Sequence, residues 1–169
     1  MCLLSVISIF IILVFLGSFF QSFAGFGGGL FIVPILTLFI EPKIILPPLL
    51  AVFWTLNLML IMEVRKYIPW KRVGSFLPGI LVGVPVGVFS LRYFNPEIIK
   101  GLISLVVIVF AIVFATGRKL SFEETLMSKT ATGVLAGFLG GSSTMAGPPI
   151  IVFGISMNWS KEIFRGTIL

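Results

Sequence analysis

The sequence has 169 residues, of which 58% are hydrophobic and only 11% charged, with a mean hydropathy of +1.19. So few polar groups cannot cover a water-facing surface, which excludes a soluble domain and indicates an integral membrane protein. The balance is basic, 12 Lys plus Arg against 6 Asp plus Glu, but the cations lie between apolar segments and form no patch. They therefore speak for membrane orientation and against nucleic acid, while a single cysteine, Cys2, and the absence of histidine exclude an internal disulfide and a His/Cys metal site.

The chain opens on an apolar run with no positive n-region and no cleavage-type boundary, so it reads as a retained span and not a signal peptide. The first charge is Glu41. The uncharged stretch from Leu3 to Ile40 is too long for one helix across a core of about 30 Å. The cluster Gly25, Gly27, Gly28 and Gly29 divides it, because each glycine costs a helix roughly 1 kcal/mol against alanine. Two arrangements stay open. Either Leu3 to Phe23 spans and Leu30 to Ile40 is a half-helix, or the whole is a helical hairpin with both ends on one side.

After the connector EPKIILPP, a second span is expected from about Leu46 to Met62. The loop with Arg65, Lys66, Lys71 and Arg72 is cytoplasmic by the positive-inside rule, and Tyr67 and Trp70 suit the interface. A third span is expected from Val73 to Leu91 and a fourth from Glu97 to Thr116, opened by Pro96. Two crossings place the loop Gly117 to Lys129 in the cytoplasm as well. A fifth apolar segment, Ala131 to Met157, holds a second break at AGPPII, and Ser160 to Leu169 begins a sixth.

Gly17 to Ile35 aligns with Gly137 to Ile155 at an offset of 120, and EPKII aligns with SKEIF at an offset of 119. This predicts an all-α polytopic membrane protein of two related halves, each opened by a Gly-rich broken helix or helical hairpin. The first repeat takes residues 1–129, and 130–169 begin an incomplete second one, so a chain truncated at its C-terminus is expected.

Broken helices repeated in two halves are a sequence pointer to a transporter's binding site. Exposed N–H groups at Gly27 to Gly29 and a helix starting at Leu30 favour an anion. Gln21 precedes this break by one turn, and Ser22 aligns with Ser142 of the second half. In the second half Ser142, Ser143 and Thr144 add hydroxyl donors beside Gly147, and Pro148 and Pro149 start the next half-helix without orphaned donors. The candidate substrate-binding residues are thus Gln21, Ser22, Gly25, Gly27, Gly28, Gly29, Ser142, Ser143, Thr144 and Gly147, with Pro34, Pro148 and Pro149 as structural breaks.

Packing explains the glycines elsewhere. Gly79, Gly83 and Gly87, and Gly133, Gly137 and Gly141, recur every fourth residue, the spacing of close helix contacts. Asn57 and Gln21 are polar within spans, and each reads first as making an interhelical hydrogen bond and second as a substrate contact. No charged residue falls at the centre of a span, so nothing argues for a proton relay, and an anion leaving a negative interior gains about 2.3 kcal/mol per charge per 100 mV. Export without a coupling ion is the resulting expectation.

GFGGGLFIVPIL with EPKII, and GGSSTMAGPPIIVFG with SKEIFRGT, resemble the TauE/SafE sulfite exporter family over nearly all of the chain. The resemblance implies a multi-pass permease of the plasma or inner membrane, usually of about eight spans in two halves, moving sulfite, organosulfonates or other small organic anions. Its motif falls here on Gly25, Gly27, Gly28, Gly29 and Pro34, and on Gly140, Gly141, Gly147, Pro148 and Pro149. The reading is export by alternating access, with a small anionic substrate and the lipid bilayer as partners, no nucleic acid, no cofactor, and a homo-oligomer left open. The alternative is a non-transporting membrane partner or assembly protein whose glycines serve helix packing alone. An embedded enzyme is disfavoured by the lack of histidine, intramembrane carboxylate and any nucleophile–base pair.

Overall fold

The computed structural model describes residues 3–24, 27–116 and 123–168. They form eight helices and one 3₁₀ turn, with no strand among the described residues: α1 (Leu3–Ala24), α2 (Gly28–Phe39), α3 (Pro42–Val64), the 3₁₀ turn Arg65–Tyr67, α4 (Trp70–Tyr93), α5 (Pro96–Thr116), α6 (Leu126–Ser143), α7 (Gly147–Ser156) and α8 (Lys161–Ile168). Of the described helices, α3, α4 and α5 are long and apolar enough to cross a membrane. Ile11, Phe15, Leu38, Trp54, Met62, Leu81 and Leu105 are each more than half exposed. A shell of large apolar side chains suits lipid, where burying them against protein gains little.

The glycine ladders explain the centre of the fold. α4 and α6 run parallel and make the most extensive helix contact. A Cβ at Gly79, Gly83 or Gly87 would strike the backbone of Thr130, Val134 or Phe138, and one at Gly133, Gly137 or Gly141 would strike that of Phe76, Ile80 or Val84. Two ladders face each other, and the helices meet backbone to backbone. The expected packing role is therefore met at all six positions.

α1 and α2 fold back on each other. Gly17 lies under Ile32, Gly28 lies beside Gln21, and the rings of Phe20 and Phe31 are 5.7 Å apart. Such pairs, receding along the chain in opposite directions, make an antiparallel hairpin. α6 and α7 do likewise: Gly140 meets Ala146 at the tip, and Phe153, further along α7, has its ring 5.6 Å from that of Phe76 of α4, the residue that lies against Gly133 near the start of α6. Of the two arrangements left open by the sequence, the hairpin is the one observed.

The hairpins open towards opposite ends. Lys43 Nζ donates to Arg92 O at 3.1 Å, so the end of α2 and start of α3 lie with the end of α4. At the other end Glu124 Oε1 is 3.0 Å from Lys129 Nζ and 3.7 Å from Arg72 Nε, and the Arg72 guanidinium lies 5.1 Å from the Trp159 ring. The two basic loops and the α7–α8 turn thus share one end.

Three boundaries differ from expectation. α3 starts at Pro42, not Leu46, since Pro42 at the first helical position needs no N–H partner, and Pro47 and Pro48 follow inside the helix. Pro34 does not break a helix: it sits within α2, and the Thr37 hydroxyl donates to its carbonyl at 3.1 Å. An interior proline lacks its own N–H and so frees the carbonyl four residues back, here that of Leu30, a loss that membrane helices tolerate. Finally, α1 and α6 end at Ala24 and Ser143, α2 and α7 open at Gly28 and Gly147, and α3 and α8 open at Pro42 and Lys161, bounds that are 119 residues apart in each case, against the 120 expected from the glycine segments.

Candidate functional site

The tips of the two hairpins meet. Gly29 is so close to the second break that a Cβ there would lie 2.9 Å from Thr144 O and 3.3 Å from Thr144 Oγ1. Between the tips is a recess of about 100 Å³, lined by Gln21, Gly27, Gly29, Leu30, Phe53, Asn57 and the stretch Thr144 to Pro148, with Ile151. Residues some 115 positions apart in the chain share it only because the hairpins enter from opposite ends.

Each break is built differently. Gly27 has φ +95° and its carbonyl accepts from Phe31 N–H at 3.2 Å, which begins α2. The left-handed turn there suits glycine. Ahead of that first intrahelical bond, the N–H groups of Gly28, Gly29 and Leu30 have no acceptor within their own helix. At the second break, the N–H groups of Thr144 and Met145 turn back to Gly140 O and Leu139 O, closing α6. Thr144 itself has φ +61°, a sparsely populated conformation for a β-branched residue. Its Oγ1 is buried and has no hydrogen-bond partner. A strained backbone and an unsatisfied hydroxyl coincide in one residue facing the recess.

The N-terminal turns of α2 and α7 both border the recess, so two helix dipoles present their positive ends to it. α7 opens on Gly147-Pro148-Pro149, leaving Gly147 as its one free early donor, whereas α2 offers three. No charged side chain lines the cavity. Gln21, only 7% exposed, donates through Nε2 to Asn57 Oδ1 at 2.6 Å, joining α1 to α3 at the wall. This pairing commits the acceptor oxygen of Asn57 and leaves its amide N–H groups as donors. Neutral donors and helix ends in a confined cavity form an environment for a small anion.

The sequence-predicted residues divide accordingly. Gln21, Gly27, Gly29, Thr144, Gly147 and Pro148 line the recess. Gly28 does not, being closed between Gln21, Gly17 and Phe53. The Ser142 and Ser143 hydroxyls donate to Phe138 O and Leu139 O at 2.7 and 2.8 Å, and Ser22 Oγ donates to Ser18 O at 2.8 Å, so these protons serve their own helices. Gly25 lies outside the described residues. Pro149 faces the α5–α6 side instead. Sequence reasoning missed Phe53, Met145 and Ile151, whose apolar character carries no signal distinguishing a wall from a core.

Residues 9–169 match a protein-family model described as Sulfite exporter TauE/SafE. No curated protein and no solved structure matches the chain.

Proposed function

The chain belongs to the sulfite exporter TauE/SafE family, a family of membrane transporters, and from that premise we propose that it exports a small oxyanion, sulfite or a small organosulfonate, bound between the two hairpin tips. The observation that carries this reading is Thr144: a buried hydroxyl without a partner, held in a strained turn, beside the free N–H groups of a facing helix. An oxyanion would accept from that hydroxyl, from Asn57 and from the first turn of α2 together. The small recess suits an ion of a few heavy atoms.

The hairpins opening from opposite ends and the constant separation of 119 residues support two related units of inverted orientation, in residues 1–129 and 130–169. With the Arg72–Lys129 end in the cytoplasm, α1 begins outside the cell in a multi-pass protein of the plasma or inner membrane. The anion site then lies where opposed hairpins meet, and rocking one unit against the other exposes it to either side in turn.

Efflux of sulfite from cells expressing the protein, with membrane abundance measured in parallel, tests the reading. Thr144→Val should abolish efflux at unchanged abundance, and Thr144→Ser should retain it. A wild-type protein that is inserted but moves neither sulfite nor a sulfonate would sink the proposal. Equal efflux from Thr144→Val and wild type would remove the site.

A further inference from the structure

The recess between the hairpin tips holds a limited amount of positive charge. Its polar side chains, Gln21, Asn57 and Thr144, are all neutral, and Leu30, Phe53 and Ile151 form apolar wall. The remaining source is the pair of helix N-termini, α2 and α7, each equivalent to about half an elementary charge. Together they amount to about one. The helices that build the recess add nothing nearby: α1, α2 and α7 carry no charged residue. Lys43 and Glu63 stand at the two ends of α3, and Lys129 lies in the first turn of α6, the end opposite Thr144.

A second negative charge on the ligand changes the two sides of the balance unequally. Attraction to the fixed helix ends doubles, whereas the cost of leaving water rises with the square of the charge, about fourfold. With no cationic side chain to make up the difference, the second charge would face Phe53 and Ile151 unpaired. A monoanion, by contrast, is matched by the two helix ends. The Thr144 hydroxyl, whose buried Oγ1 has no partner, adds a neutral donor. Sulfite exists in both forms, because its second proton leaves near neutral pH. A compound with one sulfonate as its only ionised group stays a monoanion throughout that range.

We infer that the recess selects by charge, taking the singly charged oxyanion, hydrogen sulfite or a monosulfonate, and excluding the dianion. This rests on the reading of the recess as the transport site and adds the protonation state that is carried. Each turnover then moves one negative charge, and acidification of the donor side raises the share of sulfite that can enter.

The test is efflux from proteoliposomes containing the wild-type protein, below saturation, at zero membrane potential and with the same pH on both sides. The leak of protein-free vesicles is subtracted. Sulfite efflux should fall about tenfold for each pH unit above the second pKa of sulfite. Methanesulfonate efflux should stay constant, and equimolar sulfate should inhibit neither. Ala146→Lys, which adds a cation at an exposed position of the recess, should turn sulfate into an inhibitor, a gain that loss of folding could not mimic. Sulfite efflux that holds steady or rises with pH would overturn the proposal. So would inhibition of the wild type by sulfate, or its continued exclusion in Ala146→Lys. A parallel fall of methanesulfonate efflux would place the titrating group in the protein and overturn it equally. Movement of neither sulfite nor methanesulfonate at any pH would bring down the transport reading itself, and this inference with it.

Discussion

Three adjacent glycines of the first break differ in what they do. A methyl group at Gly27 would meet only Phe31 Cε2, at 3.8 Å, but it would have to adopt φ +95°, so Gly27→Ala should cost about 1 kcal/mol through the backbone alone. At Gly28 the obstacle is packing, and Gly28→Leu would open the hairpin whether or not a substrate binds. At Gly29 the obstacle is the other hairpin. Thr144 is the position where strain and function separate most cleanly. Thr144→Gly relaxes a left-handed turn, so it should leave stability unchanged or raise it by about 1 kcal/mol while transport falls. Thermal unfolding in detergent, beside efflux, checks this. Gln21→Leu offers a second separation. Interhelical hydrogen bonds in membranes average about 0.6 kcal/mol, so its unfolding midpoint should shift by only a few degrees. If the pair only ties helices together, efflux should fall no further than folded protein does. A loss of tenfold or more marks Asn57 as a donor that Gln21 positions.

Among the elements, α4 and α6 bear the tightest constraint. Their six facing glycines allow carbonyls of one helix to approach the Cα atoms of the other. Gly83→Ala inserts a methyl against Val134 O, and a backbone cannot move aside as a flexible side chain can. The expected cost is 1 to 3 kcal/mol, about the size of an overpacked core, with less folded protein in the membrane. Gly74→Ala, which meets nothing within 4 Å, is the matched control and should be neutral or slightly stabilising. Fluorescence-detected size-exclusion chromatography of the two variants distinguishes them. Any effect of Gly83→Ala on transport should follow the amount of folded protein, since the ladder does not line the recess.

For the molecule as a whole, the two ends are chemically unlike, and this sets orientation. One end gathers Lys71, Arg72 and Lys129 with Glu124, and the other presents Lys43, Arg92 and Asn95. In a Cys2→Ser background, Lys66→Cys should react with an impermeant thiol reagent only after cell lysis, and Asn95→Cys should react in intact cells. The reverse pattern would invert the topology, and labelling of both positions from outside would contradict three crossings by α3, α4 and α5.

Sequence alone determined the class, the helices and the breaks, because these depend on local composition. A long uncharged run cannot be one span, a glycine cluster cannot continue a helix, and glycines every fourth residue announce a close helix contact. It also marked Gln21, Gly27, Gly29, Thr144 and Gly147, which line one recess. Tertiary structure decided what depends on partners remote in the chain. It turned each break into a hairpin and brought Gly29 to Thr144. It paired Gln21 with Asn57, and it gave the hydroxyl protons of Ser142 and Ser143 to carbonyls one turn back. The physical reason is that donor counts and spacings are written residue by residue, whereas the acceptor that finally satisfies each donor is fixed only when the helices pack.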